Sequence, residues 1–394
     1  MKKQTQAIHL EYERRDAYDS LSVPVYNTLA YEFDNAAVMA EAFTDKIKAP
    51  DYSRVENPTV TNLERRVAAL TDAAHATAFN SGMAAISNTL MALAAQGKNI
   101  VTSKHLFGNT YALLVATLRR FGVKVRLRDL THIEAVREAI DDDTCCVFLE
   151  ILTNPQLEVA DLKAISEVAH EKNVPLVVDS TVIPFTQFSA KSLGVDIEVV
   201  SSSKYVSGGA TSLGGLVIDY GTPYNGDFAK RLYGEMLFNF GAYMTPQVAY
   251  MQTIGLETLD ARYRVQSSNA LELAKKLRSL PQIKLVNYVG LEDNPYHELA
   301  QRQFGKTAGA MICIDLESKE ACFSFLNNLK LIHRATNLFD NRSLAIHPAS
   351  TIFGAFSESM RKSMDVKDTT IRLSVGLEDV DDLFEDIKQA VDSL

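Results

Sequence analysis

From about residue 60 onward the apolar positions fall into short runs separated by longer stretches with helical spacing. Strand-like runs occupy 75–80, 99–103, 123–128, 145–151, 176–180 and 197–202, and helical patterns lie between them at 84–95, 110–121, 133–140 and 162–172. Strands alternating with helices of this length predict βαβ units, hence an α/β fold with a mostly parallel sheet flanked by helices. Ligands bind such sheets at the carboxyl ends of the strands, so the residues just after each run are the ones to read for chemistry. Before residue 60 no period is sustained, and the aromatics Tyr12, Tyr18, Tyr26, Tyr31 and Phe33 mark either a docking arm or surface loops. Beyond Pro246 the pattern changes. A long, interrupted helix over 249–280 precedes short strands at 284–289, 310–316 and 370–375 and helices at 320–329 and 380–394. The chain therefore divides into an arm (1–58), a large α/β domain (59–245) and a smaller C-terminal α+β domain (246–394).

Composition narrows the partners. Hydrophobic residues make up 46% and charged residues 23% of 394 residues, a globular balance with no apolar run near the ~18–20 residues of a membrane span. The start, MKKQTQAIHLEYERRD, has no apolar core and does not read as a secretion signal. Four cysteines (Cys145, Cys146, Cys313, Cys322) have neither metal-ligand nor disulfide spacing, and the histidines are scattered, so no metal is expected. A net charge of −9 without a basic stripe argues against nucleic acid. A cytoplasmic protein acting on a small molecule is the expectation.

Four strand ends carry polar residues. The first leads into Asn80-Ser81-Gly82-Met83 before an Ala-rich helix, where free N–H groups and the helix dipole suit an anion; a plain serine N-cap reads the same way. The fourth leads to Thr153-Asn154-Pro155, a polar corner or a mere turn. The fifth ends on Asp179, a carboxylate that is costly there without a cation or metal beside it. The sixth leads into Ser201-Ser202-Ser203-Lys204, with hydroxyls around a lysine. Each alone has a bland reading. Together they match pyridoxal phosphate, which needs a lysine for its aldehyde, an acid for its ring nitrogen, an anion site and a flat side chain over the ring.

Here the chain resembles the cysteine/methionine-metabolism family of fold-type-I pyridoxal-phosphate enzymes. The matching stretches are Tyr52-Ser53-Arg54, Ser81-Gly82-Met83-Ala84, Phe107-Gly108-Asn109-Thr110, Asn154-Pro155, Val178-Asp179-Ser180-Thr181, Ser201-Ser202-Ser203-Lys204-Tyr205, His347-Pro348-Ala349-Ser350-Thr351 and Arg372-Leu373-Ser374, in order over essentially the whole chain. The resemblance implies that Lys204 holds the cofactor as a Schiff base and moves protons, while Asp179 pairs with the ring nitrogen. It implies that Ser81, Gly82, Met83, Ser201 and Ser203 hold the phosphate, that Phe107 stacks on the ring and that Asn154 reaches its phenolic oxygen. Arg372, with Asn337, is implied to take the substrate carboxylate. Tyr52 and Arg54 are implied to reach the phosphate of a neighbouring subunit, which means a homodimer with shared sites, paired again into a homotetramer.

Gly209–Gly215, the segment 335–338 and the segment 343–351 look closest to O-acetylhomoserine sulfhydrylases. That implies γ-replacement on an activated homoserine by sulfide or a thiol. The alternatives are γ-elimination from methionine or cystathionine, cystathionine γ-synthesis, and a catalytically silent relative, against which Lys204 and Asp179 both argue. A dinucleotide enzyme is set aside because no G-x-G-x-x-G follows a strand. The chain departs from the family pattern in Phe107, where tyrosine is usual, in Phe339, where glycine is usual, and in a shorter stretch after Tyr220.

Overall fold

The computed structural model describes residues 1–10, 16–44 and 46–394, so Tyr12 of the aromatic arm lies outside the described residues. Seven strands form one sheet: β1 (His75–Phe79), β2 (Asn99–Ser103), β3 (Lys124–Arg128), β4 (Thr144–Glu150), β5 (Leu176–Asp179), β6 (Ile197–Val200) and β7 (Gly215–Asp219). Their spatial order is β1-β7-β6-β5-β4-β2-β3. Every neighbouring pair is parallel except the two that include β7. Two antiparallel pairings cancel, so β1 points the same way as β6, and the carboxyl ends of β1, β4, β5 and β6 share one edge. Both faces of a parallel sheet are covered, which is why β5 and β6 are buried at every position.

The sequence pattern does not foretell β7. Its apolar centre, Leu216-Val217-Ile218, is too short for periodicity and follows a stretch rich in small residues. It also misses the helix Pro58–Thr71, although Asn57 caps it by accepting the Thr59 N–H at 3.0 Å and Pro58 occupies its first turn. The helix expected over 110–121 is instead an α turn (Gly108–Ala112), a π turn (Leu113–Thr117) and a 3-10 turn (Leu118–Phe121). The long interrupted helix resolves into Pro246–Glu257 and Leu259–Leu277, broken at Thr258.

A second, five-stranded sheet contains β8 (Leu285–Asn287), β9 (Met311–Asp315), β10 (His333–Arg334), β11 (Leu344–Ile346) and β12 (Thr370–Ser374), ordered β10-β11-β12-β9-β8. Its central strand β12 pairs antiparallel with both β11 and β9 and carries Arg372. The four cysteines are all free thiols. No helix among the described residues is long and apolar enough to cross a membrane.

Candidate active site

The strand ends converge on a cavity of about 510 Å³, lined from the first sheet by Ser81–Met83, Phe107, Glu150, Asn154, Asp179, Ser201, Ser203 and Lys204, and from the second by Arg372. Its anion end is built where β1 feeds the helix Gly82–Leu93. The Ser81 hydroxyl accepts the Ala84 N–H at 3.1 Å, an N-cap that leaves the N–H groups of Gly82 and Met83 pointing out of the first turn. Gly82 is required: a Cβ there would lie 2.6 Å from Ser201 Cβ, so only glycine lets the helix start and the β6 end come together. The Ser201 N–H donates to Thr181 Oγ1 at 2.8 Å, and its own hydroxyl makes no hydrogen bond among the described residues. Ser203 lines the cavity, yet its hydroxyl is engaged with the Gly214 main chain, donating to the carbonyl at 3.1 Å and accepting the N–H at 2.9 Å.

Lys204 follows β6, and its Nζ donates to Asn337 Oδ1 at 2.7 Å. Burial, with the charge of Arg372 nearby, lowers its pKa to about 8. Asp179 ends β5, buried, accepting the Thr181 N–H at 2.9 Å. Burial pushes its carboxyl up, so a cation set against it, such as a protonated ring nitrogen, would hold it ionised.

Arg372 is 3% exposed. Its Nη1 donates to Asn154 Oδ1 at 3.2 Å and its Nη2 to the Asn337 carbonyl at 3.1 Å, while Nε is buried without a partner. Burial lowers its pKa to about 10, and its hydrogen-bond partners among the described residues are an amide oxygen and a carbonyl, with no carboxylate. A buried guanidinium without an anion is costly, and a substrate carboxylate would relieve that cost. Asn337 is thus not a wall residue; it anchors the lysine through its side chain and the arginine through its carbonyl.

Phe107 forms an aromatic wall and donates its N–H to Glu150 Oε1 at 2.5 Å. Glu150, at the end of β4, is a wall residue that sequence reasoning missed. An acid inside an apolar strand carries the same signal as Asp179, but here the apolar run continued through Ile151 and concealed it. Tyr52 and Arg54 are not among the wall residues. Arg54 Nη1 donates to the Phe238 carbonyl at 2.6 Å, its guanidinium lies 5.6 Å from the centre of the Tyr52 ring, and Tyr52 is 40% exposed.

These residues fit pyridoxal phosphate. An amine of lowered pKa, a buried acid lacking a cation, a glycine-only anion cradle and an aromatic wall face one cavity. Known proteins give the same reading. The family model for Cys/Met metabolism PLP-dependent enzymes matches residues 4–392. An L-methionine gamma-lyase from Fusobacterium nucleatum is 37% identical over 394 residues, spanning 99% of this chain and 98% of that one. An O-acetyl-L-homoserine sulfhydrylase from Corynebacterium glutamicum is 32% identical over 417 residues, spanning 98% and 95%. The crystal structure of an O-acetylhomoserine (thiol)-lyase homologue from Campylobacter jejuni, containing N'-pyridoxyl-lysine-5'-monophosphate, superposes with a TM-score of 0.95 at 35% identity and full coverage of both chains. The chain belongs to the Cys/Met metabolism family of pyridoxal-phosphate-dependent enzymes, with the type-I fold of that group.

Proposed function

We propose that the chain catalyses γ-replacement on an acyl-activated homoserine, O-acetylhomoserine above all, with sulfide or a thiol as the incoming group and the carboxylate as the leaving group. The observation that carries this is the inventory of acids in the cavity wall. Its ionisable side chains among the described residues are Glu150, Asp179, Lys204 and Arg372, and the aromatic wall is Phe107, which has no hydroxyl. Glu150 and Asp179 sit side by side at the ends of β4 and β5, and Arg372 serves the substrate carboxylate. Among this chain's described residues no tyrosine hydroxyl lines the cavity to protonate a departing sulfur. A thiolate leaves poorly without such help, whereas acetate is a weak base and leaves unaided. General acid help is commonly worth ~10²–10⁴-fold.

Lys204 serves as tether and as the base that moves protons at Cα and Cβ, for which a pKa near 8 is well suited. Arg372 orients the substrate by its carboxylate. Ser81, Gly82, Met83 and Ser201 hold the phosphate, and Ser203 joins them only by giving up its bond to the Gly214 carbonyl; Asn154 offers its amide hydrogens to the phenolic oxygen, and Phe107 covers the ring. When bound, pyridoxal phosphate supplies the electron sink.

The protein works as a cytoplasmic homodimer that pairs into a tetramer, with 1–58 as an arm reaching the partner, 59–245 holding the cofactor and 246–394 closing the substrate side. Supporting this, Leu213 lines the cavity yet is 71% exposed, and Tyr52, Phe43 and Phe240 expose aromatic surface that a second copy would cover. The methionine gamma-lyase relative at 37% identity favours a second reading, elimination from methionine. Feeding O-acetylhomoserine with and without sulfide and quantifying homocysteine against 2-oxobutanoate decides between them. Homocysteine should dominate with sulfide; 2-oxobutanoate dominating in both arms would overturn replacement.

A further inference from the structure

Glu150 has no role in the scheme above, although it is 6% exposed and faces the cavity. Glu150 and Asp179 are register partners on the adjacent parallel strands β4 and β5, so their side chains leave the same face of the sheet. No lysine, arginine or histidine pairs with Glu150 among the described residues. Instead its carboxyl accepts the Phe107 N–H at 2.5 Å, and the Asn154 N–H adds a smaller favourable interaction. Those N–H groups belong to the residue whose ring walls the cavity and the residue whose amide side chain holds Arg372 Nη1.

We propose that Glu150 is a positioning residue acting as a neutral acid: it pins the Phe107 main chain beside the cofactor ring, with Asn154 next to it, and leaves Asp179 as the one charged carboxylate there. Two buried carboxylates side by side repel when both are ionised. The cofactor's ring nitrogen offers one positive charge, and Asp179 takes it. Burial and the neighbouring Asp179 accordingly raise the Glu150 pKa to about 8. A neutral carboxyl keeps a carbonyl oxygen to accept N–H groups, whereas losing the acceptor strands buried donors at ~1–3 kcal/mol each. The inference rests on the cofactor assignment and is independent of whether the reaction is replacement or elimination.

The test compares Glu150→Gln, which keeps a neutral acceptor, with Glu150→Met, which keeps length and removes the acceptor. Apoenzyme is titrated with pyridoxal phosphate, following visible circular dichroism, which reports how the protein holds the ring. Thermal unfolding of each apo variant separates folding from positioning. Glu150→Gln should bind within about threefold of wild type with the same dichroic band, and Glu150→Met should bind at least tenfold more weakly with a diminished band. Tenfold loss in Glu150→Gln would mean that the charge is needed, and wild-type binding and dichroism in Glu150→Met would mean that the contacts position nothing; either overturns the proposal. Should Glu150→Met fail to fold, Glu150→Gln decides alone.

Discussion

Phe339 sits at φ 58°, the left-handed region that glycine adopts freely and a bulky residue does not. It is fully buried, its ring stacks on Tyr205 at 4.0 Å and 9°, and its N–H donates to Ser374 Oγ at 2.7 Å. Replacing it with glycine therefore does two opposing things. Relief of the left-handed backbone returns ~1–2 kcal/mol. Loss of a buried aromatic side chain costs ~3–5 kcal/mol, part of it the stacking. Packing wins by about 2 kcal/mol, so Phe339→Gly should unfold at lower urea than wild type. Phe339→Ala loses nearly the same ring but keeps the strain, and should fall below the glycine variant by ~1 kcal/mol. Urea unfolding of the apo proteins at equal concentration, followed by far-ultraviolet circular dichroism, measures both gaps. A glycine variant as stable as wild type, or an alanine variant as stable as the glycine one, would refute the balance of strain against packing.

Other consequences bear on the site. Because burial lowers the Lys204 pKa to about 8 and only the neutral amine attacks an aldehyde, the rate at which apoenzyme combines with pyridoxal phosphate should rise with pH and level off just above 8; a rise that continues toward 10 contradicts the lowered pKa. Lys204→Ala should abolish turnover, and borohydride reduction of wild type followed by peptide mapping should place the pyridoxyl group on Lys204 alone. Inactive Arg54→Ala mixed with inactive Lys204→Ala should recover part of the activity, since one site of a hybrid dimer would receive both intact residues. No recovery under demonstrated subunit exchange means the site is built within one chain. Phe107→Tyr should speed methionine cleavage relative to O-acetylhomoserine turnover, and an unchanged ratio would show that the missing hydroxyl does not set the preference.

What the sequence makes legible follows from where the signals lie. Strands β4, β5 and β6 and the chemistry at their ends stand out because buried parallel strands are near-continuous apolar runs, and a polar residue terminating one is conspicuous. Asp179 is therefore readable and Glu150, one strand over, is not: Ile151 and Leu152 extend the apolar run past the acid. β7 escapes notice because three apolar residues carry no period, and β10 and β11 because they are two and three residues long. The Asn337 side chain meets Lys204 across 133 positions of sequence. Such a contact between sheets has no local signature, and only the family resemblance points to it.

On the proposed reading, a cavity walled by Phe107, with Asp179 and Arg372 committed to cofactor and substrate, favours a leaving group that needs no proton. The most direct measurement is kcat/KM of one wild-type preparation for O-acetylhomoserine with saturating sulfide and for methionine. The acyl ester should be preferred by at least ~10²-fold, the low end of what general acid help supplies. Methionine cleaved as efficiently as the ester is turned over would contradict it and identify the chain as a lyase.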